Sequence, residues 1–139
     1  GGYLITASYK PLDATGSSKE DYLFIKVDGD GNEIWRSVFG DPDMIDYGVV
    51  VAETTDGGFV AAGERTKDLY TWDADISLVK IDGLGQPVWQ KNQAASHTML
   101  STILQAPDGG FLLAGARFMD PDFNILLMKT DSEGNMAQP

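Results

Sequence analysis

The sequence predicts an all-β protein built from four-stranded antiparallel repeats, and three observations predict it. The phrase DGGFVAAG over residues 56–63 returns as DGGFLLAG over 108–115, and the chain opens with the related GGYLITAS. A second phrase keeps step with the first: KVDGDGNEIW over 26–35 returns as KIDGLGQPVW over 80–89 and, shortened, as KTDSEGN over 129–135. Between these anchors lie short runs rich in β-branched and aromatic residues, bounded by Gly, Asp and Asn, with no sustained helical period and no helix caps. The Gly-Gly pairs begin at Gly1, Gly57 and Gly109, 56 and 52 residues apart. Two anchors recurring in register at such a period mark a repeat architecture.

The middle repeat displays its elements in order. The run VVAE over 50–53, with its counterpart TILQ over 102–105, leads into the Asp-Gly-Gly turn. FVAA over 59–62 follows that turn, then ISLVKI over 76–81 and PVWQK over 87–91. Asp56-Gly57-Gly58 and Asp108-Gly109-Gly110 provide the positive φ that tight hairpins need, as do Asp28-Gly-Asp-Gly31 and Asp82-Gly-Leu-Gly85 at the next hairpin. The connection between the second and third runs varies. It covers 9–20 in the first repeat and shorter stretches near 66–74 and 118–122, and it reads as a surface loop. The chain thus begins on the second strand of one unit and stops after the third strand of another.

The apolar pattern decides how the units are arranged. FVAA over 59–62, LFI over 23–25 and ILLM over 125–128 are apolar on both faces, and such strands need a layer on each side. Four-stranded units of this length, packed face to face about an axis, describe a β-propeller. A sandwich does not explain the long repeat, and a stacked solenoid usually repeats in fewer residues. The reading is a single propeller segment over 1–139, with repeats 1–56, 57–108 and an incomplete 109–139. It amounts to a partial ring of roughly two and a half blades, where closure takes about four to eight. Bare apolar faces are therefore expected at both ends, and the isolated chain is not expected to be a stable compact monomer. Further blades of the same or another chain are the expected partners.

The phrase DGG(F/Y)…AG, followed by K-x-D-x-x-G-x-x-(I/V)-W, resembles the single-blade repeat of bacterial and archaeal surface or secreted propellers, including SBBP-type and related uncharacterised repeats. The resemblance covers nearly the whole chain and departs from the pattern at Gln138, which takes the tryptophan place in the third repeat. It implies blade architecture and an extracellular or cell-surface location in a prokaryote, and it implies no ligand.

Composition narrows the roles. The net charge is -11 and the ten Lys and Arg residues are scattered singly, so nucleic acid and anionic membrane are disfavoured partners. There is no cysteine, which removes disulfides, thiol nucleophiles and Cys-based zinc sites. No apolar run approaches the ~20 residues of a membrane span, and no signal-peptide pattern is read at the start.

Candidate site residues fall in turns and loops. Asp28, Asp30 and Asn32 alternate as calcium ligands do, but Glu33 stands where a calcium loop has glycine. Only the first Asp recurs, at Asp82 and Asp131, which suits a turn-capping side chain. Asp41, Asp43 and Asp46, with Asp73 and Asp75, read as solvated loop carboxylates that could otherwise serve acid–base work on sugars. Lys26, Lys80 and Lys129 recur, and Lys-x-Asp reads as a structural pairing device between neighbouring blades. Trp35 and Trp89 read as packing residues. Tyr70, Trp72 and Asp73, in the variable loop, are the candidates for contact with a glycan or protein ligand. His97 stands alone and supports neither zinc nor a catalytic triad. The expected function is a non-enzymatic binding or scaffold module of a larger protein. The alternatives are a homo-oligomeric ring unit and part of a catalytic propeller acting on glycans or holding a quinone.

Overall fold

The computed structural model describes residues 1–10, 19–41, 43–68, 70 and 73–136. Among them there is no helix, and ten strands form three antiparallel sheets. The first sheet holds β1 (Tyr3–Tyr9), β2 (Asp21–Val27) and β3 (Glu33–Phe39). The second holds β4 (Ile45–Glu53), β5 (Phe59–Thr66), β6 (Asp75–Ile81) and β7 (Pro87–Ala94). The third holds β8 (Thr98–Gln105), β9 (Phe111–Met119) and β10 (Asp122–Lys129). Every strand pairs with its neighbour in sequence, so each sheet is a meander.

The distribution of strands over the sheets follows the repeat count, with one shift of frame. The Gly-Gly pairs mark the β4–β5 and β8–β9 hairpins rather than sheet boundaries. β4 also starts well before the apolar run at 50–53. Pairing with β5 shifts between Tyr47 and Val50, where Gly48 has a φ of 68°, and this bulge hides the alternation that would have extended the strand.

The middle sheet is covered on both faces. Phe59, Ala61, Val79 and Ile81 pack with Tyr22 and Phe24 of the first sheet. Val60, Ala62, Ile76 and Leu78, on the other face, pack with Ile103, Phe111, Leu113 and Met128 of the third. β4 runs beside β1 on one side and β8 on the other. Full burial of such side chains is worth about 1.5–3 kcal/mol each, so the stack is held by its faces.

The recurring polar residues serve the sheets that carry them. Asp28 Oδ1 accepts from the amides of Asp30 and Asn32, both at 2.9 Å. Asp82 takes the same bonds from Leu84 and Gln86, and Asp131 from Glu133 and Asn135. The recurring lysines correct one expectation. Lys80 Nζ lies 3.0 Å from Asp56 and Lys129 Nζ 2.8 Å from Asp108, each pair within one sheet and not between sheets. The reason is register: the lysine strand pairs with the strand that follows the Asp-Gly-Gly turn, which brings ammonium and carboxylate to the same end. Lys26 instead lies over the Phe59 ring, 5.2 Å from its centroid.

Tryptophan joins one sheet to the next. Trp35, on β3, meets Phe59 of the second sheet edge-on at 6.4 Å and donates from Nε1 to Gly83 O at 3.1 Å. Its ring covers Gly85, where an added Cβ would fall 2.7 Å from the indole. Trp89, on β7, repeats the joint with Phe111 at 5.9 Å and with Gly134, again 2.7 Å from an added Cβ. The packing role read for both residues is the one they have. Gln138 lies outside the described residues.

Candidate functional site

The joints gather at the end of the stack that carries the β4–β5 and β6–β7 turns. At the opposite end, where β5 finishes and β4 and β8 begin, Arg65 recurs as Arg117 but its neighbours Glu64 and Asp46 do not recur. Glu64, Arg65 and Asp46 lie there, and all three are buried. Strand alternation sends Glu64 and Arg65 to opposite faces of β5.

Arg65 faces Asp46. Its Nε donates to Asp46 Oδ1 at 2.6 Å and its Nη2 to Oδ2 at 3.1 Å, a two-pronged ion pair across the β4–β5 ladder. The Asp46 amide donates to Glu20 O at 2.7 Å, tying the first sheet's loop to the second sheet. Asp46 was expected to be a solvated loop carboxylate, and this is corrected. It has no exposed surface, because it belongs to β4 and Arg65 lies opposite.

Glu64 faces a cleft of about 390 Å³ between the second and third sheets. The cleft is lined by Tyr47 and Gly48 of β4, Glu64 itself, Ala74, and Thr98, Met99 and Leu100 of β8. Glu64 Oε1 accepts from the Leu100 amide at 2.7 Å, and Tyr22 Oη donates to the Glu64 carbonyl at 3.2 Å. Gly48 makes the room: a Cβ there would sit 2.2 Å from Glu64 Oε2. Burial pushes the Glu64 carboxyl above its ordinary range, with the Leu100 amide opposing. Burial, and then the Glu64 charge, push the Tyr47 phenol up as well. Among the described residues Glu64 is the one carboxylate that lines this cleft.

None of the described residues chosen from sequence lines this cleft. Tyr70 is 94% exposed, with its amide donating to Asp68 Oδ1 at 2.9 Å. Trp72 lies outside the described residues. Asp73 accepts from Ser96 Oγ at 2.7 Å and lines a neighbouring cavity of about 240 Å³ with Met44, Arg65, Thr66, Lys67 and Asp75. Of the calcium candidates, Asp28 has its oxygens on the turn, with Asn32 Nδ2 donating to Oδ2 at 3.0 Å, while Asp30 and Asn32 are exposed. Among the described residues no three His, Asp or Glu side chains converge as a metal site would need. His97 is exposed at the start of β8, and its carbonyl accepts from Phe118.

Sequence reasoning missed Glu64 as a site residue, although a signal was present. In the repeat register Glu64 stands where the other units have Ser8 and Ala116, and Asp46 stands where the third has Thr98. A charged residue that breaks the pattern inside a strand is the mark that was there to be read.

No protein-family model matches this chain, and no curated protein matches it.

Proposed function

We propose that the chain is a segment of a β-propeller, its three sheets successive blades, acting as a non-enzymatic binding or scaffold module of a larger secreted or cell-surface protein. The observation that carries this reading is a vacant joint. Trp35 fills the socket of Phe59 and Gly85, and Trp89 fills that of Phe111 and Gly134. The matching socket on the first sheet is Tyr3 and Gly31. Tyr3 is 66% exposed, and an added Cβ on Gly31 would meet nothing within 4 Å. This socket is shaped for the tryptophan of a preceding blade.

The far end supports the same reading. Ile125 and Leu127 of β10 hold the places of Ile76 and Leu78 of β6. The β6 pair is 0% exposed, whereas Ile125 is 91% and Leu127 65% exposed. The middle sheet shows what covers such a face, namely another sheet of the same repeat. Placement in a secreted or surface protein rests on the motif resemblance.

A second reading is that copies of this chain stack head to tail, as a heterologous interface would allow. The two bare faces are the two halves of one joint, which favours it. Gln138 in the tryptophan place argues against it, because a copy would then bring no indole to Tyr3 and Gly31.

Light scattering after gel filtration tests the reading. Association should grow with concentration and weaken in Ile125→Lys, a change on an exposed face that leaves the sheet intact. A tight monomer that melts cooperatively at every concentration would overturn it. A single closed species of fixed mass would instead select the head-to-tail ring.

A further inference from the structure

The cleft at Glu64 carries an inference that goes beyond the blade reading and does not rest on it, since its walls come only from the second and third sheets and the connection into β6. We propose that this cleft binds the ammonium group of an amine on an apolar stem, with Glu64 as the counter-charge and Tyr47, Met99 and Leu100 as the walls.

Charge is the first argument. A buried carboxylate is costly unless paired, and among the described residues Glu64 makes no ion pair. The adjacent cation, Arg65, points to the opposite face and is committed to Asp46. The second argument is unused bonding capacity. The Leu100 amide supplies one hydrogen bond and the backbone of Glu64 itself a second, while a carboxylate accepts about four. An ammonium brings the missing charge together with three donors.

Shape is the third argument. A volume of about 390 Å³, walled by an aromatic ring, a thioether and aliphatic carbon, suits a small apolar body with one polar end. The fourth is departure from the repeat. Glu64 replaces the small Ser8 and Ala116 of the other units, and Gly48 replaces the bulky Leu100 of the third. The two changes act together, since any side chain at Gly48 would displace the carboxylate. The net charge of -11 also draws cations toward the surface. The ammonium could come from a free alkylamine or from a lysine side chain of a peptide, and the same chemistry recognises both.

The test is an NMR titration of the labelled full chain, read at the amides of Gly48 and Leu100. The probes are n-pentylammonium and its neutral counterpart n-pentanol. The lysine source is probed with N-acetyl-lysine methylamide and its Nε-acetylated form. The pentylammonium should shift both amides saturably while pentanol leaves them in place. Glu64→Gln, whose amide oxygen can still accept from Leu100, should weaken amine binding by about tenfold or more. Tighter binding of the lysine derivative than of the alkylamine identifies a peptide source, and the reverse order a free amine. The proposal is overturned if pentanol binds as well as pentylammonium, if neither moves these amides, or if Glu64→Gln binds the amine unchanged. That last result would make Glu64 a brace for the β8 backbone only. Should Glu64→Gln fail to fold, the comparison of amine with alcohol on the unaltered chain decides alone.

Discussion

The joint end and the cleft end of the stack are built by opposite rules. At the joints every residue recurs: Trp35 and Trp89, Phe59 and Phe111, Gly85 and Gly134, in the same relation each time. At the cleft end Arg65 recurs as Arg117, but Glu64, Asp46 and Gly48 all depart from their counterparts. The difference teaches how to read a repeat. A residue that returns in register serves the architecture, because each copy must solve the same packing problem. A buried polar residue that appears in one copy has no such duty and needs an individual explanation.

The largest expected effect breaks the cleft end. Asp46→Ala leaves the buried Arg65 without its carboxylate and should cost about 3–5 kcal/mol, measured by urea unfolding at fixed protein concentration. A cost below about 1 kcal/mol would mean that the pair is solvated after all.

Next comes a pair of changes that separates the joint from its turn. Gly31 and Gly85 share the turn position and a positive φ, 88° and 78°. Gly31→Ala should lose only the left-handed backbone preference, about 1 kcal/mol. Gly85→Ala meets the Trp35 ring in addition and should cost about 2–4 kcal/mol. Equal losses would dissolve the claim that tryptophan holds the sheets together.

The smallest effect sharpens the contrast through pH. The Thr54 hydroxyl and then Lys80 hold the Asp56 carboxyl down at about 2, below its ordinary 3.8. The stability Asp56 contributes is therefore complete above its ordinary value and is lost as pH falls toward 2. Asp56→Asn should cost about 1 kcal/mol or less at neutral pH, with the difference closing in acid. Glu64 has the opposite sign. Burial raises its pKa, so the folded state is favoured below the ordinary 4.5 and penalised as pH rises through the shifted value. Glu64→Gln should be at least as stable as the parent at neutral pH, with the gap closing below the ordinary carboxylate range. Thermal melts of both variants across pH check the two signs together. A loss of stability in Glu64→Gln at neutral pH would show that the carboxylate is kept for the fold.

Much of the fold was legible because hairpin physics is local. Asp28, Asp82 and Asp131 cap their own turns through the next few amides, so the bonds lie within the phrase that announces them. The extent of β4 was not legible, because the bulge at Gly48 breaks the alternation by which a strand is recognised. The partner of each recurring lysine was misplaced for a related reason. Lys80 and Asp56 are 24 residues apart, and only the strand register decides whether they meet within a sheet or across two.

By itself the sequence determined the turns, the number of sheets and the strands apart from the extent of β4, since side-chain alternation and glycine's access to positive φ act over a few neighbouring residues. Tertiary structure alone decided which faces meet and which charges are buried. Asp46 looks like its loop neighbours Asp41 and Asp43 until Arg65 lies across the ladder from it, and Glu64 looks like a surface residue until β8 closes over it. Burial is a property of what comes to rest on a residue, and for these carboxylates that covering comes from another strand and another sheet.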